Sequence, residues 1–367
     1  MCSRVCPSES CFGSLRLALP MGLQRQKRVL RTLRVIKVGC GFSGIEAGVT
    51  ALGRMGITYK LLFSCDSDPA CQKMIQQAHN PDVLFNDIKE RSPEEEPAVD
   101  LYFWTPPCQD FSLAGNQRGT EAARGKLMSS SIKYIAHKKP RVAVMENVDS
   151  LNSKNFAPVL KGMVRALEKV GYVVYYSVLD SSEYMVPQVR KRIFVVAIRK
   201  DSTRHDFVWP APVGSVTVAK YLDPPTDSDK PGRMPSTDRG KERCKNAYTT
   251  VFADGVDPRK TPVLVDVDCS PKFATFGVNV ARTLTRSRGA QGGPWVSTRG
   301  RRMTVSEMCR LQGFLVREVP WEAAGVTEHQ IGAMLGNSVA VPIIGAVVAE
   351  ALYAGGLTSQ RHAFKYA

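Results

Sequence analysis

The chain has 367 residues, enough for two domains or for one large domain with an appendage. With 43% hydrophobic and 23% charged residues it is not a wholly disordered chain, and it contains no run of about 18 apolar residues of the kind that spans a membrane. A formal charge of +16 points to a polyanionic partner, nucleic acid first. That charge is unevenly placed. Residues 1–34 hold seven basic residues against Glu9, and residues 282–302 hold six arginines (Arg282, Arg286, Arg288, Arg299, Arg301, Arg302) and no acid, which leaves only +4 for the rest. Ten cysteines in a chain this long do not make a disulfide scaffold and read as reduced thiols of an intracellular protein.

Residues 1–33 sustain no helical or strand period and read as a basic extension, either an organelle leader or a disordered arm. Cys2, Cys6 and Cys11 lack the paired spacing of a zinc site. From residue 34 the pattern is α/β. Strands are predicted at 34–40, 59–65, 99–104, 142–145, 172–179 and 193–198. Helices are predicted between them at 44–55, 69–78, 126–137 and 156–171, the last with an apolar face at Val159, Leu160, Met163, Val164 and Leu167. Strands alternating with helices imply a mostly parallel, doubly wound sheet. Residues 201–281 are rich in Pro, Asp and Ser and read as a small, irregular, loop-rich domain. Helical periodicity resumes at 306–311 and at 331–352, interrupted by Gly336-Asn337-Ser338.

Gly39-Cys40-Gly41-Phe42-Ser43-Gly44 follows the first strand and opens a helix, with Asp66 22 residues after the last glycine. This fits a dinucleotide fingerprint, but the physics is less specific than the pattern. Glycines admit a ligand to the backbone, and an acid at the end of the second strand accepts from ribose hydroxyls, so any adenosine-containing cofactor can use both. Ser43 and Glu46 form S-x-x-E, which reads as a capping box. Phe42 is open to two readings, stacking on an adenine or packing in the core.

Pro106-Pro107-Cys108-Gln109-Asp110-Phe111-Ser112 lies at the carboxyl end of a predicted parallel strand, the edge where open α/β sheets bind ligands. The polar segment 113–127 follows and reads as a mobile loop. The next strand ends in Glu146-Asn147-Val148, and Gln188-Val189-Arg190-Lys191-Arg192 precedes a later one. A Cys, a Glu and an Arg pair thus come off neighbouring strand ends.

At these residues the sequence resembles the cytosine-C5 DNA methyltransferases, in eight ordered motifs across about residues 34–356. Phe42-Ser43-Gly44-Ile45 resembles the family's cofactor loop. Asp66 stands where the family more often has Glu. Asn86-Asp87-Ile88 resembles its Gly-Asp-Ile, Pro107-Cys108-Gln109 its catalytic tripeptide, and Glu146-Asn147-Val148 its second catalytic motif. Gln188-x-Arg190-x-Arg192 matches its Q-x-R-x-R. The segment from Arg302 through Glu307 to Phe314 resembles its ninth block, and Gly336-Asn337-Ser338-Val339 its tenth.

The resemblance implies a Rossmann-like class I methyltransferase fold with a small target recognition domain. The catalytic domain would be built from 34–200 and 282–356, the recognition domain would be 201–281, and 357–367 would be a tail. It implies S-adenosylmethionine as cofactor, S-adenosylhomocysteine as product, and no metal. Phe42, Gly44, Ile45, Asp66, Asp87, Ile88, Pro106, Leu127, Asn337 and Val339 would line the cofactor pocket. Cys108, as thiolate, would add to C6 of cytosine. Glu146 would hold the proton at N3, with a pKa raised by burial. Arg192 would hold the base carbonyl or Glu146, and Arg190 a phosphate or another motif residue. Pro107, Gln109, Asn147 and Gln188 would support them, Asn147 by hydrogen bonds to the Pro-Cys-Gln turn. The target base must leave the duplex, and segment 113–127 is the expected lid.

The expected partner is double-stranded DNA, with Arg286 and Arg288 on its phosphates and the protein a monomer, off the membrane. The expected location is inside the cell, in the nucleus of a eukaryote or in an organelle. A tRNA-methylating branch of the family carries Cys-Phe-Thr in the recognition region. Here Cys244 precedes Lys-Asn and Cys269 precedes Ser-Pro, so that signature is absent. A catalytically silent nucleic-acid binder is the other alternative, against which Cys108 and Glu146 stand intact. A nicotinamide dehydrogenase would account for the glycine loop and for nothing after residue 100.

Overall fold

The computed structural model describes residues 35–107, 121–270 and 275–365. The central sheet has seven strands. In chain order these are β1 (Ile36–Gly41), β2 (Tyr59–Cys65), β3 (Val83–Phe85), β4 (Leu101–Trp104), β5 (Val142–Val148), β6 (Tyr172–Asp180) and β7 (Lys191–Arg199). They lie side by side as β3-β2-β1-β4-β5-β7-β6. The first five are parallel, and β7 runs antiparallel between β5 and β6. This is the mostly parallel, doubly wound arrangement expected from the sequence, with one reversed strand.

The period of two along the strands divides the core into two layers. Leu101, Phe103, Val142 and Val144 face one side with Ile36 and Val38. Helices α1 (Ala47–Arg54) and α9 (Val341–Ala354) pack there. Tyr102, Trp104, Ala143 and Met145 face the other, with Met128, Tyr134, Leu160, Met163 and Leu167. Those come from α3 (Glu121–Lys138) and α4 (Ala157–Lys169). Helix α2 (Pro69–Ala78) follows β2 and opens on Asp68, whose side chain accepts from the Ala70 amide at 2.9 Å.

The expected interruption at 336–338 is a real break. Helix α8 (Glu328–Asn337) and α9 meet at 43°, and Pro342 sits in the first turn of α9, where its missing amide costs nothing. No single helix among the described residues is long and apolar enough to cross a membrane.

Residues 201–281 are more regular than their composition suggests. Helix α5 (Asp238–Ala253) is capped by Thr237, which accepts from the Gly240 amide. It buries Cys244, Ala247, Tyr248 and Val251, spaced i, i+3, i+4, i+7, against Val263, Val265 and Trp295. The stripe begins only at Cys244, after a charged start to the helix, so composition hides it. A four-stranded antiparallel sheet orders β8 (Val263–Val265), β9 (Phe276–Val278), β10 (Trp295–Val296) and β11 (Arg301–Arg302) as β11-β10-β8-β9. It therefore draws strands from both sides of residue 281, and the boundary expected there does not break it.

Short helix α6 (Arg286–Ala290) crosses α8 backbone to backbone. A Cβ at Gly332 would lie 2.1 Å from the Gly289 carbonyl oxygen, and one at Gly336 2.2 Å from that of Thr285. Helix propensity alone favours Gly332→Ala by about 1 kcal/mol. The clash is with backbone and cannot relax by a rotamer change, so Gly332→Ala is expected to destabilise by about 2 kcal/mol in urea unfolding. A midpoint equal to or above wild type would show that α6 is not seated as described.

Candidate active site

The ends of β4 and β5 are adjacent because the two strands pair in parallel register, Trp104 beside Met145. Two residues further along, the Asn147 side-chain amide donates to the Pro106 carbonyl at 3.1 Å, and its oxygen accepts from the Val148 amide at 2.8 Å. Asn147 thus holds the turn that leads into Pro107, which is exposed. Cys108, Gln109 and residues 113–120 of the expected lid lie outside the described residues, while the rest of that segment, from 121 to 127, is the start of helix α3 rather than loop.

Beside this turn, Arg192 stands opposite Val148 in the antiparallel pairing of β5 with β7. Its Nε reaches Glu146 Oε1 at 3.1 Å. Glu146 is 6% exposed. Burial pushes its carboxyl above the usual range, and the cations of Arg192 and Arg190 pull it back. A carboxyl so placed can hold a proton for a bound base.

Arg190 does not join the catalytic groups. It is 1% exposed. Its Nη1 donates to the Leu284 carbonyl at 2.8 Å, and its Nη2 to those of Ser338 at 2.6 Å and Gly336 at 3.3 Å. Of the two contacts expected for it the structure gives the second, another motif, at Gly336 and Ser338; grouping Arg190 with the catalytic residues Cys108, Glu146 and Arg192 is corrected to a positioning role. A buried guanidinium needs acceptors, and the returning backbone supplies three of them here. Gln188 works alongside it, donating to the Leu311 carbonyl and accepting from the Leu284 amide.

The glycine loop lies across the ends of β1 and β2. Gly44 has φ +58, and a Cβ built there meets nothing within 4 Å. The loop is therefore open at Gly44, whereas at Gly39 and Gly41 a Cβ would meet the Phe63 and Tyr102 side chains. Asp66 borders it, accepting from the Gly44 amide at 2.8 Å and the Asp68 amide at 3.0 Å. Phe42 is half-buried at φ 58, its carbonyl accepting from the Thr105 hydroxyl at 2.7 Å. Asp87 is part-exposed and accepts from the Lys89 amide. Ile45, Ile88, Pro106 and Val339 are buried, Leu127 is half-buried and Asn337 is exposed.

Glu46 departs from the expected capping box. Helix α1 starts one residue after it, and Glu46 itself is left-handed (φ 56) with no capping bond. Its carboxylate turns inward, accepting from the Ser64 hydroxyl at 2.5 Å. Burial pushes it up from 4.5 to about 7, against hydrogen bonds from Cys40, Ser64 and Ser43. The alternation of β2 toward the loop was the signal for Ser64; nothing local marked Glu46 as buried.

The 282–302 arginines are mostly paired internally. Arg288 meets Asp266 at 2.7 Å, Arg299 meets Asp229 at 3.5 Å, and Arg302 meets Asp268 at 2.8 Å. Arg301 bridges Asp229 and Glu307 at 3.1 and 2.9 Å. Arg310, beyond the stripe, pairs with Asp223. Arg286 crosses to Asp68 at 3.6 Å. The stripe is thus largely a set of ties between the recognition segment and the returning catalytic chain.

An open α/β sheet carrying a glycine loop, an acid bonded to that loop and a buried acid–arginine pair at its carboxyl edge is the arrangement of a methyltransferase of the class I fold. The C-5 cytosine-specific DNA methylase profile matches residues 33–352, and the chain belongs to that family. It is 28% identical over 231 residues to the type II methyltransferase M.FnuDI of Fusobacterium nucleatum, covering 60% of this chain and 65% of that protein. It thus spans just under two thirds of the length of that relative. It is 26% identical to M.HaeII of Haemophilus aegyptius over 87% of this chain and 92% of the relative. Among solved structures, the S. pombe Dnmt2 methyltransferase superposes with TM-score 0.62 at 17% identity, over 86% of this chain and 98% of that one. At that identity the likeness is one of fold.

The Glu46 carboxyl carries a stability signature. Its folded pKa lies above its unfolded one, so its contribution is full below 4.5 and is lost as pH rises through about 7. Thermal unfolding of wild type is expected to fall across that window by on the order of 3 kcal/mol relative to Glu46→Gln. Parallel pH profiles for the two proteins would contradict the burial of this group.

Proposed function

We propose that the protein is a DNA cytosine-C5 methyltransferase that uses S-adenosylmethionine and acts on a base flipped out of the duplex. The observation that supports this most is the pairing of buried Glu146 with Arg192 beside the Asn147-anchored turn into Pro107-Cys108, in a member of this family. The recognition domain around α5 would sit on the duplex.

Cytosine C5 is a poor nucleophile until C6 carries an added group. The Cys108 thiolate adds to C6, and Glu146 holds the proton on N3 so that the ring electrons collect at C5 as an enamine. When bound, S-adenosylmethionine supplies the methyl group that C5 takes. Loss of the C5 proton and elimination of the Cys108 thiolate then restore the ring. Arg192 keeps Glu146 oriented, and Asn147 fixes the turn that presents Cys108. Asp66 accepts from the ribose and Asp87 from the adenine amine, the carboxylate chemistry that those hydroxyl and amine donors require.

The test is transfer of label from S-adenosylmethionine to duplex DNA or to tRNA, with Cys108→Ala and Glu146→Gln alongside. DNA is expected to be labelled, Cys108→Ala to be inactive, and Glu146→Gln to lose about 10²–10⁴-fold in rate. Label in tRNA alone would overturn the substrate assignment, and DNA label persisting in Cys108→Ala would overturn the covalent route. A duplex carrying 5-fluorocytosine is expected to trap an adduct on Cys108, because fluorine at C5 cannot leave as a proton does.

A further inference from the structure

Arg286 is placed differently from its neighbours in the arginine stripe. Among the described ion pairs of that stripe, those of Arg288, Arg299, Arg301 and Arg302 stay within the recognition segment and the returning chain. Arg286 reaches instead to Asp68, beyond the glycine-loop acid Asp66. Its backbone position is set by close packing, since a Cβ at Gly336 would lie 2.6 Å from the Arg286 amide nitrogen. Gly336 in turn precedes Asn337-Ser338-Val339. Asp68 is equally fixed, because Oδ1 caps α2 and Oδ2 is the atom that meets Arg286. Arg286 thus stands where the end of β2, the start of α2 and the end of α8 converge.

We propose that Arg286 is a positioning residue for the cofactor, holding Asp68, whose amide donates to the ribose-binding acid Asp66, and tying that edge to the seating of the recognition segment. This rests on the reading that S-adenosylmethionine binds at the glycine loop. Two carboxylates two residues apart repel each other, and burial makes that of Asp66 harder to ionise. The charged and titratable groups around Asp66 are Asp68, Cys71, Glu46, Cys65 and Arg286. Arg286 is the cation of that set. Burial raises the Asp66 carboxyl, the Asp68 and Gly44 amides lower it, and the charges of Asp68 and Arg286 add smaller effects, raising and lowering it respectively. An ionised Asp66 accepts from ribose hydroxyls, whereas a protonated one loses part of that capacity. The exposed side of the pair limits the effect to that of a partly solvated ion pair. A phosphate contact would need Arg286 turned toward DNA, away from Asp68.

The experiment is calorimetric titration of the full chain with S-adenosylhomocysteine from about pH 5 to pH 8, spanning the carboxylate-to-neutral range. Arg286→Gln is expected to weaken binding by about 3–5-fold near pH 6 and to move the acid-side loss of binding to higher pH. Arg286→Lys is expected to keep the wild-type pH profile. Adding Asp68→Asn to Arg286→Gln is expected to recover part of the loss, because it removes the uncompensated neighbour. The salt dependence of duplex DNA binding is expected to be the same in wild type and Arg286→Gln. Unchanged affinity and pH profile, with a flattened salt slope, would overturn the proposal and return Arg286 to the DNA backbone. Wild type that binds no S-adenosylhomocysteine would overturn the cofactor reading itself. Should Arg286→Gln fail to unfold cooperatively, Arg286→Lys and Asp68→Asn alone decide the matter, through retention of the pH profile in the first and its downward shift in the second.

Discussion

A charged side chain taken out of water must find partners, and Arg190 finds its partners in backbone from the other end of the chain. The carbonyls it reaches belong to Leu284, Gly336 and Ser338. The chain leaves the seven-stranded sheet after β7 and packs back on it with α9, so its two parts must be rejoined after a long excursion. Arg190 and Gln188, on the approach to β7, accept that task by satisfying the backbone at α6, α7 (Val305–Leu311) and the α8–α9 break. Residues of β7 beyond them carry Arg192 to Glu146. Rejoining the chain and orienting the buried acid are therefore done by one short run of residues.

The same economy of residues governs the charge. Counted along the sequence, the 282–302 stripe is a block of uncompensated positive charge. In space, Asp223, Asp229, Asp266, Asp268 and Glu307 are brought against it and against Arg310. Ion pairs shared among several partly buried groups resist solvent screening better than isolated surface pairs. They fix the recognition segment on the catalytic domain more than they advertise a phosphate track. Glu307 carries two of these duties, because it also completes the capping box of α7 with Thr304.

Beneath the glycine loop the constraint is desolvation. Glu46 and Cys40 are both buried and both pushed toward their neutral forms. A carboxyl raised to about 7 is largely protonated below that pH, which relieves its repulsion with Asp66. Asp66 keeps its own acceptors engaged with the Gly44 and Asp68 amides, which gives the loop a defined shape.

The linear sequence determined the class of fold and most of the site. Apolar strands alternating with amphipathic helices allow little but a doubly wound sheet, and the eight ordered motifs place Asp66, Glu146, Asn147 and Arg192 at its carboxyl edge. Strand β3 was not legible, since three residues with exposed Val83 carry no period. Helix α5 was hidden by the charged residues of its first half, and the small sheet by strands of two or three residues. Whether Ser43-x-x-Glu46 caps a helix or buries its acid depends on Ser64, 18 residues away in sequence and adjacent only once β1 and β2 have paired. Which arginines are free to meet a phosphate, and that Arg190 holds backbone while Arg192 holds an acid, were likewise decided by tertiary structure. The physical reason is common to all of these. A residue's type states what it can bond to, but its burial and the partner within reach are set by chain segments far away in sequence.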